Sequence, residues 1–312
     1  PDRTVNLQEI RSQMDFEEDV HPEEITESDQ VVEAIRTRIE SEVEKRIEVL
    51  DNSYSFEMAE DGRFLKVKDV ISESGYIYLF CLIISHATRS EVLGESIKPE
   101  VNDRARDLFQ VCATLCAAGF VQGSAISFGW PRPDGSSIIR KLKEFVEYIG
   151  EGEVRDKPLS AARYAKDDDI DVIAWRPEPD GMPGVQLLFG QAASGQNWRQ
   201  KSARTAIDKV FFETWFSVRV ASDVQPAMFI PFCPENEDNE AAAGPSPGAG
   251  GKAWRITREL GIPFTRYRIP RYSAIARDLF DRGNRPIERI EDLPKVIDWV
   301  DGYRKKLTKK IV

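Results

Sequence analysis

The chain has 312 residues, of which 41% are hydrophobic and 31% are charged, a composition typical of a soluble protein with a sizeable core. No apolar run approaches the length of a membrane span, and the first residues lack the pattern of a signal peptide, so we expect a cytoplasmic protein with no membrane partner. The net charge of −10 disfavours a uniformly basic surface for nucleic acids, and the four cysteines and two histidines lack zinc-ligand spacing.

The first part of the chain is acidic and mainly helical in pattern. Apolar residues recur at three and four positions from Ser28, the expected N-cap, to Leu50, which predicts a long amphipathic helix. Weak alternation over 54–70 indicates a short hairpin, and the apolar run 76–86 indicates a buried helix. We therefore expect a mostly helical N-terminal domain over 1–100.

Helical and strand patterns alternate from residue 101 onward. The expected elements are a helix over 102–118 ended by Gly119, a strand over 121–128, a helix over 138–149 closed by Gly150, strands over 170–175 and 185–191, a helix over 198–220 capped by Asn197, a strand over 228–232, and an edge strand over 264–269 with its arginines outward. This order predicts an α/β domain with a mixed sheet over 101–312. The Ala/Gly/Pro/Ser-rich stretch 235–251 predicts a flexible surface loop.

Charge is distributed unevenly along the chain. Residues 1–100 carry 11 Lys and Arg against 24 Asp and Glu, whereas residues 251–312 carry 16 against 8. The basic C-terminal segment either forms solvated helix faces or borders a groove for phosphates.

The strand pair at 170–175 and 185–191 carries the main candidate site. Asp171 begins the first strand beside apolar residues, and an ionised carboxylate there calls for a compensating cation or donor. Gln191 ends the second strand, and its amide oxygen is a suitable ligand for a hard cation such as Mg²⁺. The alternative is that Asp171 only caps a turn, in a purely structural protein.

Lys201 is the candidate cation of this site. It is expected in the first turn of the helix after Gln191, where the helix dipole disfavours a positive charge. There it would orient the attacking water or stabilise a phosphate in the transition state. The alternative is a surface lysine on the outer helix face.

Aromatic residues flank the candidate site and allow two interpretations. They could stack on bases, but their helical and strand spacing favours packing in the core. The set comprises Trp175, Trp198, Trp215, Phe211 and Phe212.

Asp171 and Gln191, in the pattern Asp-Val-Ile-Ala-Trp followed by Phe-Gly-Gln-Ala-Ala-Ser-Gly-Gln-Asn-Trp-Arg-Gln-Lys, resemble the core of the PD-(D/E)XK superfamily. The likeness is to its Mrr-type branch, in which a glutamine replaces the second acid, and it covers roughly residues 100–275. It implies a restriction-endonuclease-like mixed sheet flanked by helices. It also implies a divalent metal ion, Mg²⁺ or Mn²⁺, as cofactor.

The chain departs from the family pattern at two places. Ala193 stands where a lysine normally follows the second acid or glutamine, so Lys201 would have to replace it from the neighbouring element. The preceding helix often supplies a glutamate to the metal in this family, and here it offers Asp107 or Gln110. The resemblance therefore implies catalytic residues Asp171, Gln191 and Lys201, with Asp107 as a further metal ligand.

The resemblance leads to two functional hypotheses. The first is a metal-dependent endonuclease that hydrolyses DNA phosphodiester bonds in prokaryotic anti-phage defence, with partner proteins and, for double-strand cutting, a homodimer. The second is a catalytically inactive nuclease-like scaffold or nucleic-acid-binding subunit of a defence complex, which the neutral Gln191 and Ala193 would suit.

Overall fold

The computed structural model of the protein describes residues 4–6, 22–59, 64–89, 93–94, 96–159, 169–234, 252–283 and 285–311. The surface loop expected over 235–251 lies outside these residues and stays a prediction. Within the described part, helices and strands are interleaved, and the expected mixed α/β class is confirmed.

The N-terminal part contains a short strand, β1 (Thr4–Asn6), and a long helix, α1 (Pro22–Leu50). Ser28 lies inside this helix, so its expected role as N-cap is wrong. The helix begins instead at Pro22, a residue suited to a first turn because its missing N–H has no intrahelical acceptor there. Strands β2 (Phe56–Ala59) and β3 (Phe64–Val67) form the expected hairpin, and β1 pairs with β3.

Two buried helices follow, α2 (Glu73–Arg89) and α3 (Asp103–Val121). Asn102 caps α3 by accepting a backbone N–H of the first turn. The expected end at Gly119 is wrong, because α3 continues past it. A Cβ at Gly119 would collide with the carbonyl oxygen of Tyr272, so this glycine permits close approach of another helix.

A five-stranded sheet forms the centre of the molecule. Its strands are β4 (Ser124–Ser127), β6 (Val172–Arg176), β7 (Gln186–Ala192), β9 (Val224–Phe229) and β10 (Ile262–Phe264). The spatial order is β10-β9-β7-β6-β4. Strand β6 pairs antiparallel with both β4 and β7, and β9 pairs parallel with both β7 and β10. The expected mixed sheet is thus confirmed.

Helices cover both faces of this sheet. Along β6, Val172 and Ala174 belong to one hydrophobic cluster and Ile173 and Trp175 to another, as the strand alternation requires. The first cluster also contains α2, α3, α8 (Arg268–Asp281) and α9 (Leu293–Ile311), and the second contains α4 (Ile138–Ile149). Helix α2, although it precedes the boundary expected near residue 100, shares a core with the sheet.

The continuous helix expected over 198–220 is wrong. The segment is divided into a 3₁₀ turn (Gln196–Gln200), α5 (Ala203–Ala206), a π turn (Ile207–Phe211) and α6 (Phe212–Trp215). Ser202, not Asn197, caps α5, and its hydroxyl accepts from Thr205 N at 3.1 Å. The chain then becomes a strand, β8 (Phe216–Val218), because it pairs with β5 (Glu153–Val154).

The C-terminal part also differs from expectation at the edge strand. Strand β10 ends at Phe264, and Arg266 is only 6% exposed, so the expected outward orientation of the arginines is wrong for Arg266. A helix, α7 (Lys252–Leu260), precedes β10. Among the described residues, no helix combines the length and the apolarity that crossing a membrane requires.

Candidate functional site

The ends of β6 and β7 bring Asp171 and Gln191 together. Val172 pairs with Gly190, and Asp171 N donates to Gly190 O at 2.8 Å, so Asp171 lies opposite Gln191. The Asp171 carboxylate accepts from Ala192 N, with 2.8 Å between Oδ2 and N. The predicted pair of an acid and an amide on adjacent strands is therefore present where β6 begins and β7 ends.

The side-chain amide of Gln191 is buried and only half satisfied. The residue is 1% exposed, and its Nε2 donates to Asp169 Oδ1 at 3.2 Å. This bond fixes the orientation of the amide, because an ionised carboxylate only accepts hydrogen bonds. Gln191 Oε1 is buried and has no hydrogen-bond partner among the described residues. A buried unpaired acceptor costs about 1–3 kcal/mol, so this oxygen calls for a ligand.

Asp169 is a site residue that sequence reasoning missed. It has a left-handed backbone with φ of 63°, a conformation that Asp tolerates better than most residues, and it reaches Gln191 from the segment before β6. The sequence signal that could have identified Asp169 was the run of three acids, Asp167 to Asp169, directly before the strand expected over 170–175. That run was interpreted only as the charged start of the strand. Asp169 is thus hydrogen-bonded to Gln191, which lies across the strand pair from Asp171.

The backbone of Asp171 is fixed from the opposite strand edge. Its carbonyl oxygen accepts from Phe128 N at 2.7 Å and from Gly129 N at 2.9 Å. Gln110 Nε2, on α3, also donates to this carbonyl at 3.2 Å and to Ser127 Oγ at 3.0 Å. These bonds leave Asp171 little freedom in position.

Gly129 gives the Asp171 carboxylate its space. A Cβ on Gly129 would collide with Asp171 Oδ1 and with the Gln110 amide nitrogen, so a larger residue would displace one of them. The glycine therefore permits the close approach of carboxylate, amide and backbone on which the site is built.

Asp107 is engaged elsewhere. Its two carboxylate oxygens accept from Arg289 Nη1 and Nη2 at 2.6 and 2.8 Å, a bidentate ion pair. To bind a cation Asp107 would have to leave this pair. Gln110, on the same helix, is the residue that contacts Asp171 directly.

Ala193 and Lys201 occupy unlike environments. Ala193 is 3% exposed and packs with Trp198 and Met228. The position at which PD-(D/E)XK proteins carry a lysine is therefore part of a hydrophobic cluster here. Lys201 does not lie in a first helical turn as expected. Its backbone is extended, with φ of −101° and ψ of 134°, between the 3₁₀ turn and Ser202. None of the ion pairs found among the described residues joins Lys201 to Asp171.

The aromatic residues beside the site are core residues, as their spacing predicted: Trp175, Trp198, Trp215, Phe211 and Phe212 are buried. The cysteines are buried and unpaired, and burial raises the pKa of Cys81, Cys112, Cys116 and Cys233.

The donor chemistry suits a hard cation. Carboxylate and amide oxygens are the protein ligands that Mg²⁺ and Mn²⁺ prefer, and the unpartnered Gln191 Oε1 is the observation that fits a bound cation best. No group of three or more His, Cys, Asp or Glu residues placed to hold a metal occurs in the described part of the chain. The amide of Gln191 would therefore have to complete a site whose anionic ligands are Asp169 and Asp171.

Comparisons of the chain with family models, with curated proteins and with solved structures found no match.

Proposed function

We propose that the protein is a metal-dependent nuclease with a restriction-endonuclease-like domain, which hydrolyses DNA phosphodiester bonds. The observation that carries the proposal is Gln191 Oε1, a buried amide oxygen without a donor, opposite the Asp171 carboxylate at the ends of two central strands. An atom in this state is costly in a purely structural role, and a cation would satisfy it.

In the proposed site Asp171, with its backbone held by Gln110 and Gly129, anchors the cation. Gln191 and Asp169 contribute further oxygens. A bound Mg²⁺ or Mn²⁺ supplies Lewis acidity toward a phosphoryl oxygen and lowers the pKa of a bound water. Lys201, in the extended link after β7, orients the scissile phosphate by its charge.

A basic and aromatic surface near Lys201 supports a nucleic-acid substrate. Helix α7 exposes Trp254 at 47%, and the Arg258 guanidinium lies 5.4 Å from the centre of its ring. Ser202, next to Lys201, donates to Glu259 O at 2.9 Å and so ties this helix to the link. An exposed aromatic with arginines suits stacking on a base and contact with phosphates.

The family resemblance extends the proposal to biology. The nuclease would act on foreign DNA in prokaryotic anti-phage defence, in the cytoplasm, with partner proteins. Cutting of both strands would be performed by a homodimer.

The test is cleavage of plasmid and linear DNA with Mg²⁺, with Mn²⁺ and with EDTA. We expect metal-dependent cutting that Asp171→Asn reduces at least about 100-fold and Lys201→Ala reduces about 10- to 100-fold, the usual range for lost metal or electrostatic contacts. Asp223→Asn, an exposed carboxylate before β9, is the matched control and should cut at the wild-type rate.

Binding of Mn²⁺, followed by calorimetry, separates the metal site from the chemistry. The wild type and Lys201→Ala should bind Mn²⁺ alike, whereas Asp171→Asn should not. Cutting that persists in Asp171→Asn, or Mn²⁺ binding unchanged by that substitution, would contradict the proposal.

The second candidate is a catalytically inactive nuclease-like subunit that only binds nucleic acid. Ala193 favours it, because the buried alanine at the lysine position leaves no room for the family's catalytic lysine there. In that case DNA binding would persist in Asp171→Asn, and neither protein would cut with any metal.

A further inference from the structure

A cavity of about 670 Å³ lies apart from the site just described, between the segment 96–104, in which α3 begins, and residues 298–307 of α9. Its volume falls within the range of small-molecule sites. Its lining includes Arg104, Asp298, Trp299, Gly302, Tyr303 and Lys306, and two further charged residues, Lys98 and Glu100, line it as well.

Tyr303 gives the cavity wall an unsatisfied polar group. The residue is 8% exposed, and its hydroxyl is buried without a hydrogen-bond partner in the described part of the chain. Burial raises the pKa of Tyr303, so the hydroxyl stays protonated. A ligand acceptor that reaches this hydroxyl would remove the cost of leaving it unpaired.

Trp299 and Gly302 make the wall suited to a flat ring. Trp299 stacks on Tyr303 with 6.1 Å between ring centres and 19° between planes, and it is only partly buried. A Cβ added to Gly302 would meet nothing within 4 Å, so no packing contact requires this glycine. A glycine inside a helix costs about 1 kcal/mol relative to alanine, and here it keeps the wall open.

Charges at the cavity can hold both phosphate and ribose. Arg104 and Lys306 are exposed and take part in none of the ion pairs of the described residues, so both are available to an anion. Asp298 lines the same cavity, and a carboxylate there can accept from sugar hydroxyls. The combination of aromatic wall, cations and carboxylate matches the three parts of a nucleotide.

We propose that this cavity binds a nucleoside monophosphate, with the base against Trp299 over Gly302, a base acceptor at the Tyr303 hydroxyl and the phosphate at Arg104 and Lys306. The site is independent of the metal site, and neither proposal requires the other.

Calorimetric titration with AMP, adenosine and inorganic phosphate tests the proposal. AMP should bind saturably, with adenosine and phosphate each at least about tenfold weaker, because each keeps only part of the contacts. Gly302→Leu should abolish AMP binding by filling the cavity. Lys305→Leu, an exposed position on the same helix that does not line the cavity, should bind as the wild type does.

Two further variants assign the contacts. Tyr303→Phe should weaken AMP about tenfold, the effect of one hydrogen bond, and Arg104→Gln should weaken AMP but not adenosine. Thermal unfolding verifies that each variant is folded. The proposal is overturned if AMP shows no saturation by about 1 mM or if folded Gly302→Leu binds AMP like the wild type. Asp171→Asn should retain AMP binding, which separates this proposal from the nuclease.

Discussion

Two buried polar side chains near opposite ends of β7, those of Glu151 and Gln191, illustrate two different uses of a polar group. Glu151 is 5% exposed, and its carboxylate accepts from Gly184 N at 2.9 Å, from Ser222 N at 2.8 Å and from Ser222 Oγ at 2.7 Å. Gln191 is 1% exposed, but its side-chain Oε1 accepts no hydrogen bond from the described residues.

The difference separates a structural role from a binding role. Glu151 joins the loops before β7 and β9, and every one of these bonds is internal to the protein. Gln191 donates from its nitrogen to Asp169, and its oxygen has no donor in the part of the chain that the structure describes. A satisfied buried group stabilises the fold, whereas an unsatisfied one marks a place where a ligand is expected.

The largest effect on stability is expected from Glu151→Gln. The new amide nitrogen would face N–H or O–H donors, so the variant should lose about 2–4 kcal/mol of unfolding free energy in denaturant titrations. Glu147→Gln, an exposed position on α4, is the matched control and should change stability by less than about 0.5 kcal/mol. A loss of the same size in both variants would show that the bonds of Glu151 do not matter.

The same carboxylate should make stability depend on pH. Burial alone would raise the pKa of Glu151, but the bonds from Ser222, Gly184 and Val185 outweigh it, and its pKa lies below the ordinary value of 4.5. Its contribution is therefore complete above pH 4.5 and is lost as the pH falls through the folded-state pKa. The stability gap between wild type and Glu151→Gln should shrink from about pH 7 to about pH 3; a constant gap would refute this.

Gln191→Glu should give a smaller loss that a metal reverses. A third carboxylate, added beside those of Asp169 and Asp171 in a buried place, is repelled by them, so without metal the variant should lose about 1–3 kcal/mol of unfolding free energy. Millimolar Mg²⁺ should then raise its melting temperature more than that of the wild type, since binding to the native state stabilises it. Gln225→Glu, exposed on β9, should show neither change. Equal Mg²⁺ responses in all three proteins would disprove the metal site.

The smallest stability effect is expected from Gln191→Met. An apolar side chain of similar length removes the unsatisfied oxygen together with the bond to Asp169, and the two changes should offset each other within about 1 kcal/mol. Mn²⁺ binding by calorimetry should nevertheless be lost. A large loss of stability here would place Gln191 in the structural class of Glu151.

The sequence patterns correctly predicted those helices and strands whose ends are determined by residues nearby in the sequence. The apolar runs at 170–175 and 185–191 became β6 and β7, and Gly150, with φ of 67°, closes α4 as expected. The elements predicted wrongly depend on distant partners. Gly119 serves a contact with Tyr272, and the end of the helix expected over 198–220 is replaced by a strand that pairs with β5.

The candidate site was predictable mainly along its own strands, although the family resemblance also named Gln110 on the preceding helix. The placement of Asp171 opposite Gln191 follows from the pairing register of β6 and β7. The apolar pattern of the two strands in the sequence indicates that register. Gly129, Gln110 and Asp169 come from other segments, and their roles depend on tertiary approach and on a left-handed backbone. The extended backbone at Lys201 was missed because the next helix is capped by Ser202, whose hydroxyl also bonds to Glu259 O of α7, a contact between distant parts of the sequence.

The bare contact between Gly119 and Tyr272 O couples two distant parts of the protein. At this point no side chain separates the backbones of α3 and α8. Helix α3 also bears Gln110, whose amide touches the main chain of Asp171. A methyl group introduced at Gly119 would therefore displace α3 from α8. Because Gln110 lies on α3, the displacement would also shift the contact that holds the backbone of Asp171.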